Sequence, residues 1–385
     1  MSASDVRHLL IDPRAIVLGG DACHVARTLQ ADSVDAIVTD PPAGIAFMGK
    51  GWDTDKGGRD AWVTWLAAIM RNALHVLKPG GHALVWALPR TSHWTATAVE
   101  DAGFEIRDVV THLFGTGFPK SKNIDGGRGT ALKPASEHWI LARKPLVGTV
   151  AANVLAHGTG AMNIDACRIE TSDNPNGGAY SGGTRPTSMA GLTGEAGGTG
   201  SLFEAGGGRL DGDAYVQPAG RWPANVTLDE DAADVLDAQS GTRKSGARRA
   251  GTPRGPQGIV YKKGFTGQPM RNEINASEGG ASRFFYVAKG ARAEKDAGLE
   301  HLPARAGGAR NHHPTVKSIA LMRWLVRLVT PPGGVVLDLF AGSGTTGVAA
   351  LAEGRTFIGF EQGGEGGEYW PILVGRIQHA LKGTP

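Results

Sequence analysis

Two short stretches, far apart in the chain, carry residue types that do chemistry together. The first is Asp40-Pro41-Pro42-Ala43-Gly44, which directly follows the apolar run Val34 to Thr39. An acid there sits at the end of a buried strand. Two prolines hold the backbone behind it, forbid a helix start and remove two amide hydrogens, so that neighbouring carbonyls can face a ligand. The second is Gly342-Ser343-Gly344-Thr345-Thr346-Gly347, a GxGxxG pattern, with Glu361 placed 19 residues after Gly342. Glycines let a backbone approach a ligand closely, and an acid at that distance accepts hydrogen bonds from ribose hydroxyls. The pattern alone names no particular adenosine-bearing cofactor, and a nicotinamide dinucleotide is one candidate.

The elements around these stretches predict how they are held. Val335 to Phe340 reads as a buried parallel strand, Thr345 to Ala352 as a helix closed by Gly354, and Thr356 to Phe360 as a second strand ending on Glu361. Further strands are expected at Ala15–Gly19, Val34–Thr39, His82–Leu88, Phe104–Leu113 and Trp139–Ala142. Helices are expected near Ala22–Leu29, over Trp62–Leu77, Thr91–Ala102 and Ile319–Val329, with the helix after Trp62 stopped by Lys78-Pro79-Gly80-Gly81. The alternation predicts an α/β, doubly wound sheet.

Composition sets the outer limits. The 385 residues suit one large domain plus an inserted one, and 41% hydrophobic content supports a true core. No apolar run reaches the ~18 residues of a membrane helix, and the N-terminus lacks an apolar signal core, so a cytoplasmic protein is expected. Cys23 and Cys167 are too few for a disulfide framework or a zinc site, and no metal is expected; Cys167 reads as a buried filler. From Thr171 to Gly220 there are 14 glycines, which predicts loops rather than a second core. From Gly241 to Arg292 there are 11 Lys/Arg against two Asp/Glu, with Tyr261, Phe265, Phe284, Phe285 and Tyr286 interleaved. That composition fits a phosphate backbone, and Arg248, Arg249, Lys262 and Lys263 are the candidate contacts.

The order of these features, catalytic-type loop first, basic insertion next and glycine-rich loop last, resembles the beta class of DNA amino-methyltransferases. Asp40-Pro41-Pro42-Ala43 resembles that family's Asp-Pro-Pro-aromatic motif. Phe340-Ala341-Gly342-Ser343-Gly344, continuing into Thr345, resembles its cofactor loop, and Phe360-Glu361 its ribose-binding step. His313-Pro314-Thr315-Val316-Lys317 is similar to the segment preceding the cofactor strand, and Asp21 sits at the family's opening Gly-Asp turn. Gly117–Ser121, Leu132–Pro134 and Ser282–Tyr286 resemble phage and prophage members.

The resemblance implies a seven-stranded, mostly parallel Rossmann-like sheet. It implies a catalytic half at 1–150, a loop-rich target-recognition insertion at 151–304 and a cofactor half at 305–385. It also implies S-adenosylmethionine as cofactor, with Asp21, Thr315, Lys317, Asp338 and Glu361 around it, and double-stranded DNA as partner, a homodimer being left open. It further implies a base flipped out of the duplex, with its exocyclic amine held by Asp40 and the Pro41 carbonyl. Asp at position 40 favours adenine N6; cytosine N4 is the alternative, and a nicotinamide-dependent oxidoreductase is the reading if the glycine pattern is taken alone. The chain departs from the family at Ala43, where an aromatic ring would stack on the base. Phe47, Trp52 and Trp86 are the candidate replacements. His312 and His313 read as structural.

Overall fold

The apolar runs that read as strands become strands because both of their faces are covered. The computed structural model describes residues 7–117, 121–124, 126–171, 220–245, 277–290, 292–305 and 307–383. In chain order the strands are β1 (Arg7–Asp12), β2 (Ala15–Gly19), β3 (Val34–Thr39), β4 (Leu77–Ala87), β5 (Glu105–Leu113), β6 (Asn123–Ile124), β7 (Arg128–Gly129), β8 (Ser136–Arg143), β9 (Val226–Asp229), β10 (Arg243–Ser245), β11 (Ser277–Gly279), β12 (Tyr286–Ala288), β13 (Val335–Asp338) and β14 (Thr356–Glu361). The helices are α1 (Val25–Thr28), α2 (Arg59–Val76), α3 (Ser92–Asp101), α4 (Val150–His157), α5 (Glu230–Ser240), α6 (Ile319–Val329), α7 (Thr345–Ala352) and α8 (Trp370–Gly383).

The chain divides into two compact units, one of residues 1–167, 224–233 and 286–385, the other of 168–223 and 234–285. The first holds a sheet of order β1-β2-β14-β13-β3-β4-β8-β5-β9-β12. Neighbours from β2 to β4 run parallel, and β8 lies antiparallel between β4 and β5. Successive side chains along a strand point to opposite faces. Ala36, Val38 and Val336 therefore pack with α6, α7 and α8, through Leu325, Ala349 and Leu373. Ile37, Ala83 and Leu337 pack with α2 and α3, through Leu66 and Val99.

The expected seven strands are all present, and the sheet has ten. β1 adds a hairpin partner to β2, while β9 and β12 extend the far edge beside β5. The last two come from the span 151–304, so that span is not laid wholly outside the sheet. At four and three residues they are too short for periodicity to reveal, and pairing with an existing edge makes them strands. Helix α2 ends at Val76, just before the expected stop Lys78-Pro79-Gly80-Gly81, and those four residues lie inside β4.

β3 continues to β4 on one side, whereas β13 continues through α7 to β14 on the other. Their carboxyl ends adjoin at the centre of the sheet, where the strand order reverses. In open α/β sheets that crevice is the place for a ligand.

In the second unit β10 pairs antiparallel with β11, and Ile169 bridges Arg221. The guanidinium groups of Arg221 and Arg283 lie 4.7 and 4.6 Å from the centre of the Phe284 ring, which is exposed. The Gly-rich span from 172 to 219 and the candidate contacts Arg248, Arg249, Lys262 and Lys263 lie outside the described residues. Among the described residues no helix is long and apolar enough to cross a membrane, and no group of His, Cys, Asp or Glu is arranged to hold a metal ion.

Candidate active site

The two chemistry-bearing stretches meet because β3 and β13 pair, with Ala36 opposite Val336 and Ile37 opposite Leu337. Each stretch then leaves its strand at the same end of the sheet. A cavity of about 450 Å³ opens there, lined by Asp40, Pro41, Pro42 and Ala43 from one side. Phe340, Ala341, Gly342, Ser343 and Thr345 line it from the other, together with Asp21, Thr315, Lys317, Asp338 and Glu361. Gly344, the remaining member of the loop, sits behind as the cap of α7.

A hydrogen-bonded pin joins the two loops. The Thr39 hydroxyl donates to Asp338 Oδ1 at 2.7 Å and accepts from the Leu339 amide at 3.1 Å. Asp338 Oδ1 also accepts the Phe340 amide at 3.0 Å. Burial pushes the Asp338 carboxyl up to about 6, against the donors Thr346, Thr39 and Phe340. Asp338 thus ties the cofactor-type strand to the residue just before Asp40. Thr39 escaped sequence reasoning, because a threonine ending a strand has no signal until its neighbour across the sheet is known.

Lys317 meets Asp40. Its ammonium lies 2.8 Å from Asp40 Oδ2 and 4.2 Å from the centre of the Trp86 ring. Burial pushes the Asp40 carboxyl up, and the Lys317 charge pulls it back. Burial alone would depress Lys317, but the carboxylates of Asp40 and Glu137 outweigh it and hold the ammonium above its ordinary range. Lys317 was expected beside a cofactor; its ion pair is with the candidate catalytic acid.

The glycine-rich loop is built for a close approach. Gly342 has φ +50°, and a Cβ there would come within 2.7 Å of His313 Nε2. The Gly342 amide donates to Glu361 Oε2 at 2.8 Å. Burial pushes the Glu361 carboxyl up to about 7, although that hydrogen bond opposes the rise. His313 is neutral: burial first, then Lys317 and Arg376, depress it to about 4, and its Nδ1 accepts the Thr315 amide at 3.3 Å. It acts as a shaped wall, in line with a structural reading. Asp21 accepts the Cys23 amide at 2.9 Å and caps the short turn entering α1.

Phe47, Trp52 and Trp86 all line the cavity, but in different ways. Trp86 is 8% exposed, and its face carries the Lys317 ammonium. Trp52 packs against Leu299, Tyr369 and Ile372. Phe47 belongs to a loop organised by Asp53, which is 1% exposed. Asp53 accepts the Gly44 amide at 3.0 Å and the Phe47 amide at 2.7 Å. The Ala43 carbonyl accepts the Thr91 hydroxyl at 3.1 Å, which fixes the end of the motif. Asp53 and Thr91 were missed from the sequence because their partners are backbone groups of a loop with no period. Phe114, Trp65, Tyr369 and Glu137 also face the cavity unannounced by any motif. Cys167 is buried, and burial pushes its thiol up to about 12, which suits a core filler and no nucleophile.

Residues 237–366, about a third of the chain, match the family model described as DNA methylase. That stretch includes the glycine-rich loop and Glu361 but not Asp40. The chain is 40% identical over 77 residues to the protein YubD of Escherichia coli K12, covering 20% of this chain and 34% of that one. It is 52% identical over 50 residues to the DNA adenine methyltransferase YhdJ of the same organism, covering 13% and 17%. It is 50% identical over 50 residues to the type II methyltransferase M.BglI of Bacillus subtilis, covering 13% and 14%. The chain thus spans about a third or less of the length of these relatives. Among solved structures, a cytosine-N4-specific PvuII DNA methyltransferase overlaps 94% of this chain and 86% of its own at 13% identity, with a TM-score of 0.48. The fold assignment rests instead on the strand order itself. Residues 237–366 carry a DNA methylase family match, set in an α/β sheet whose reversal point holds both the glycine-rich loop and Asp40.

Proposed function

We propose that this chain transfers a methyl group from S-adenosylmethionine to the exocyclic amine of a base extruded from double-stranded DNA, and that the base is adenine. The observation that carries the reading is the meeting of Asp40 and the Gly342–Glu361 pair in one cavity at the reversal point of the sheet. Seven carboxyl-bearing residues line that cavity against two lysines, Lys56 and Lys317. An acid-rich cavity suits a sulfonium cation better than the anionic pyrophosphate of a nicotinamide dinucleotide. The cofactor fits the residues present. Glu361 is a buried carboxyl that accepts the Gly342 amide through Oε2, leaving Oε1 for ribose hydroxyls, and Gly342 leaves room where a side chain would strike His313.

Bound S-adenosylmethionine would supply an electrophilic methyl group. The protein supplies orientation and electrostatics. An exocyclic amine is a poor nucleophile because its lone pair is delocalised into the ring. Asp40 accepts one amine hydrogen and the Pro41 carbonyl the other, which favours a pyramidal nitrogen with its lone pair free. Lys317 keeps the Asp40 carboxylate charged and aimed. The aromatic walls, Phe47 and Trp52 first among them, stack on the extruded base. Adenine is favoured over cytosine by Asp at position 40 and by the 52% identical stretch shared with a protein named as a DNA adenine methyltransferase.

Contacts to the phosphate backbone are assigned to the basic segment with Arg248, Arg249, Lys262 and Lys263, supported by the arginines stacked on Phe284 in the same unit. The test is methyl incorporation from labelled S-adenosylmethionine into duplex DNA, followed by identification of the modified base. Asp40→Ala abolishes transfer and spares cofactor binding; full activity in that variant overturns the assignment.

A further inference from the structure

Arg376, on α8, lies under the glycine-rich loop and is 2% exposed. Its Nη1 donates to the Ser343 carbonyl at 2.7 Å, to the Thr345 hydroxyl at 2.8 Å and to the Ser343 hydroxyl at 3.3 Å. Its Nη2 is buried and meets no hydrogen-bond partner among the described residues. Nor does any carboxylate there form an ion pair with it; Asp296 and Glu294 act on it only through space.

The placement breaks two electrostatic rules. A buried guanidinium without a paired carboxylate is costly. Ser343 and Thr345 also flank the start of α7, and a cation is disfavoured at that positive end of a helix dipole. Burial accordingly depresses Arg376 to about 10. Gly344, the cap residue of α7, has no side chain to hold the turn. The Ser343 carbonyl and the two hydroxyls are instead gathered by a single nitrogen, Nη1, held on a rigid guanidinium plane that reaches in from a helix far along the chain. Such local violations concentrate where function requires them.

We propose that Arg376 is the positioning residue that holds the Ser343–Thr345 turn in its binding shape, so that the cofactor's affinity, rather than the fold alone, depends on this buried cation. The inference rests on the cofactor reading above. Lysine keeps the charge and has donors enough, but its flexible stem and compact ammonium lack the rigid plane that fixes the donating nitrogen beneath the turn.

The experiment measures S-adenosylmethionine binding by calorimetry in the full chain and in Arg376→Lys and Arg376→Met, beside their urea unfolding midpoints. The expected result is at least tenfold weaker binding in folded Arg376→Lys and a larger loss in Arg376→Met, with Glu361 variants losing affinity independently. Affinity within twofold of the parent in folded Arg376→Lys overturns the proposal, whatever the change in stability. If Arg376→Met does not fold, Arg376→Lys decides alone. Absence of binding in the parent chain would instead strike the cofactor reading itself, so the two failures are distinct.

Discussion

Removing the Lys317 ammonium by Lys317→Met leaves the Asp40 carboxylate buried among Glu137, Asp53 and Asp338. Breaking one side of a buried pair typically costs about 3–5 kcal/mol. The Asp40 side chain retains 22% exposure toward the cavity and that of Lys317 10%, so screening should lower the figure to about 2–4 kcal/mol. Part of this belongs to the cation over Trp86, about 0.5–2 kcal/mol. Asp40→Asn keeps the acceptor's shape, and the double variant Asp40→Asn/Lys317→Met loses both charges. The cation–π contribution is lost in both Met variants and cancels in the cycle. The remaining coupling is expected at about 1.5–3 kcal/mol.

The sign with pH follows. In Lys317→Met the Asp40 carboxyl is raised further above its unfolded value near 3.8. The folded state then holds the proton more tightly than the unfolded one, so stability falls as pH rises through that window and is lowest above it. The deficit should therefore be near full size at pH 8 and shrink toward pH 4. Urea unfolding at both pH values reads the cycle. A coupling below about 0.5 kcal/mol would refute the ion pair and the aiming role given to Lys317.

Other outcomes follow from the same geometry. Gly342→Val places a side chain against His313 at φ +50°, and calorimetry should show lost S-adenosylmethionine binding with circular dichroism unchanged. Because Glu361 is pushed up to about 7, it is largely neutral below that pH and charged above it. Cofactor affinity should thus rise as pH increases through 7, and Glu361→Gln should flatten the profile; an unchanged profile in that variant would detach Glu361 from the ligand. Phe47→Ala or Trp52→Ala should slow single-turnover transfer by about 5- to 150-fold, as loss of about 1–3 kcal/mol of stacking implies. Trp86→Ala should act mainly on the unfolding midpoint, since that ring is buried beneath Lys317.

The sequence alone determined the elements whose patterns repeat. The seven central strands, α6 and α7 were legible because a strand covered on both faces is an apolar run and a helix covered on one face is an apolar stripe. Asp40, Gly342 and Glu361 were legible because their spacing is local, between a strand end and the turn after it. Only the tertiary structure decided what crosses the sheet. Thr39 bonding Asp338, Lys317 reaching Asp40, Asp53 shaping the Phe47 loop and Arg376 bracing Ser343 each join residues from separate stretches, and a side chain's partner across such a distance leaves no period or spacing to read. The Lys317 ammonium over the face of Trp86 is a contact of the same kind.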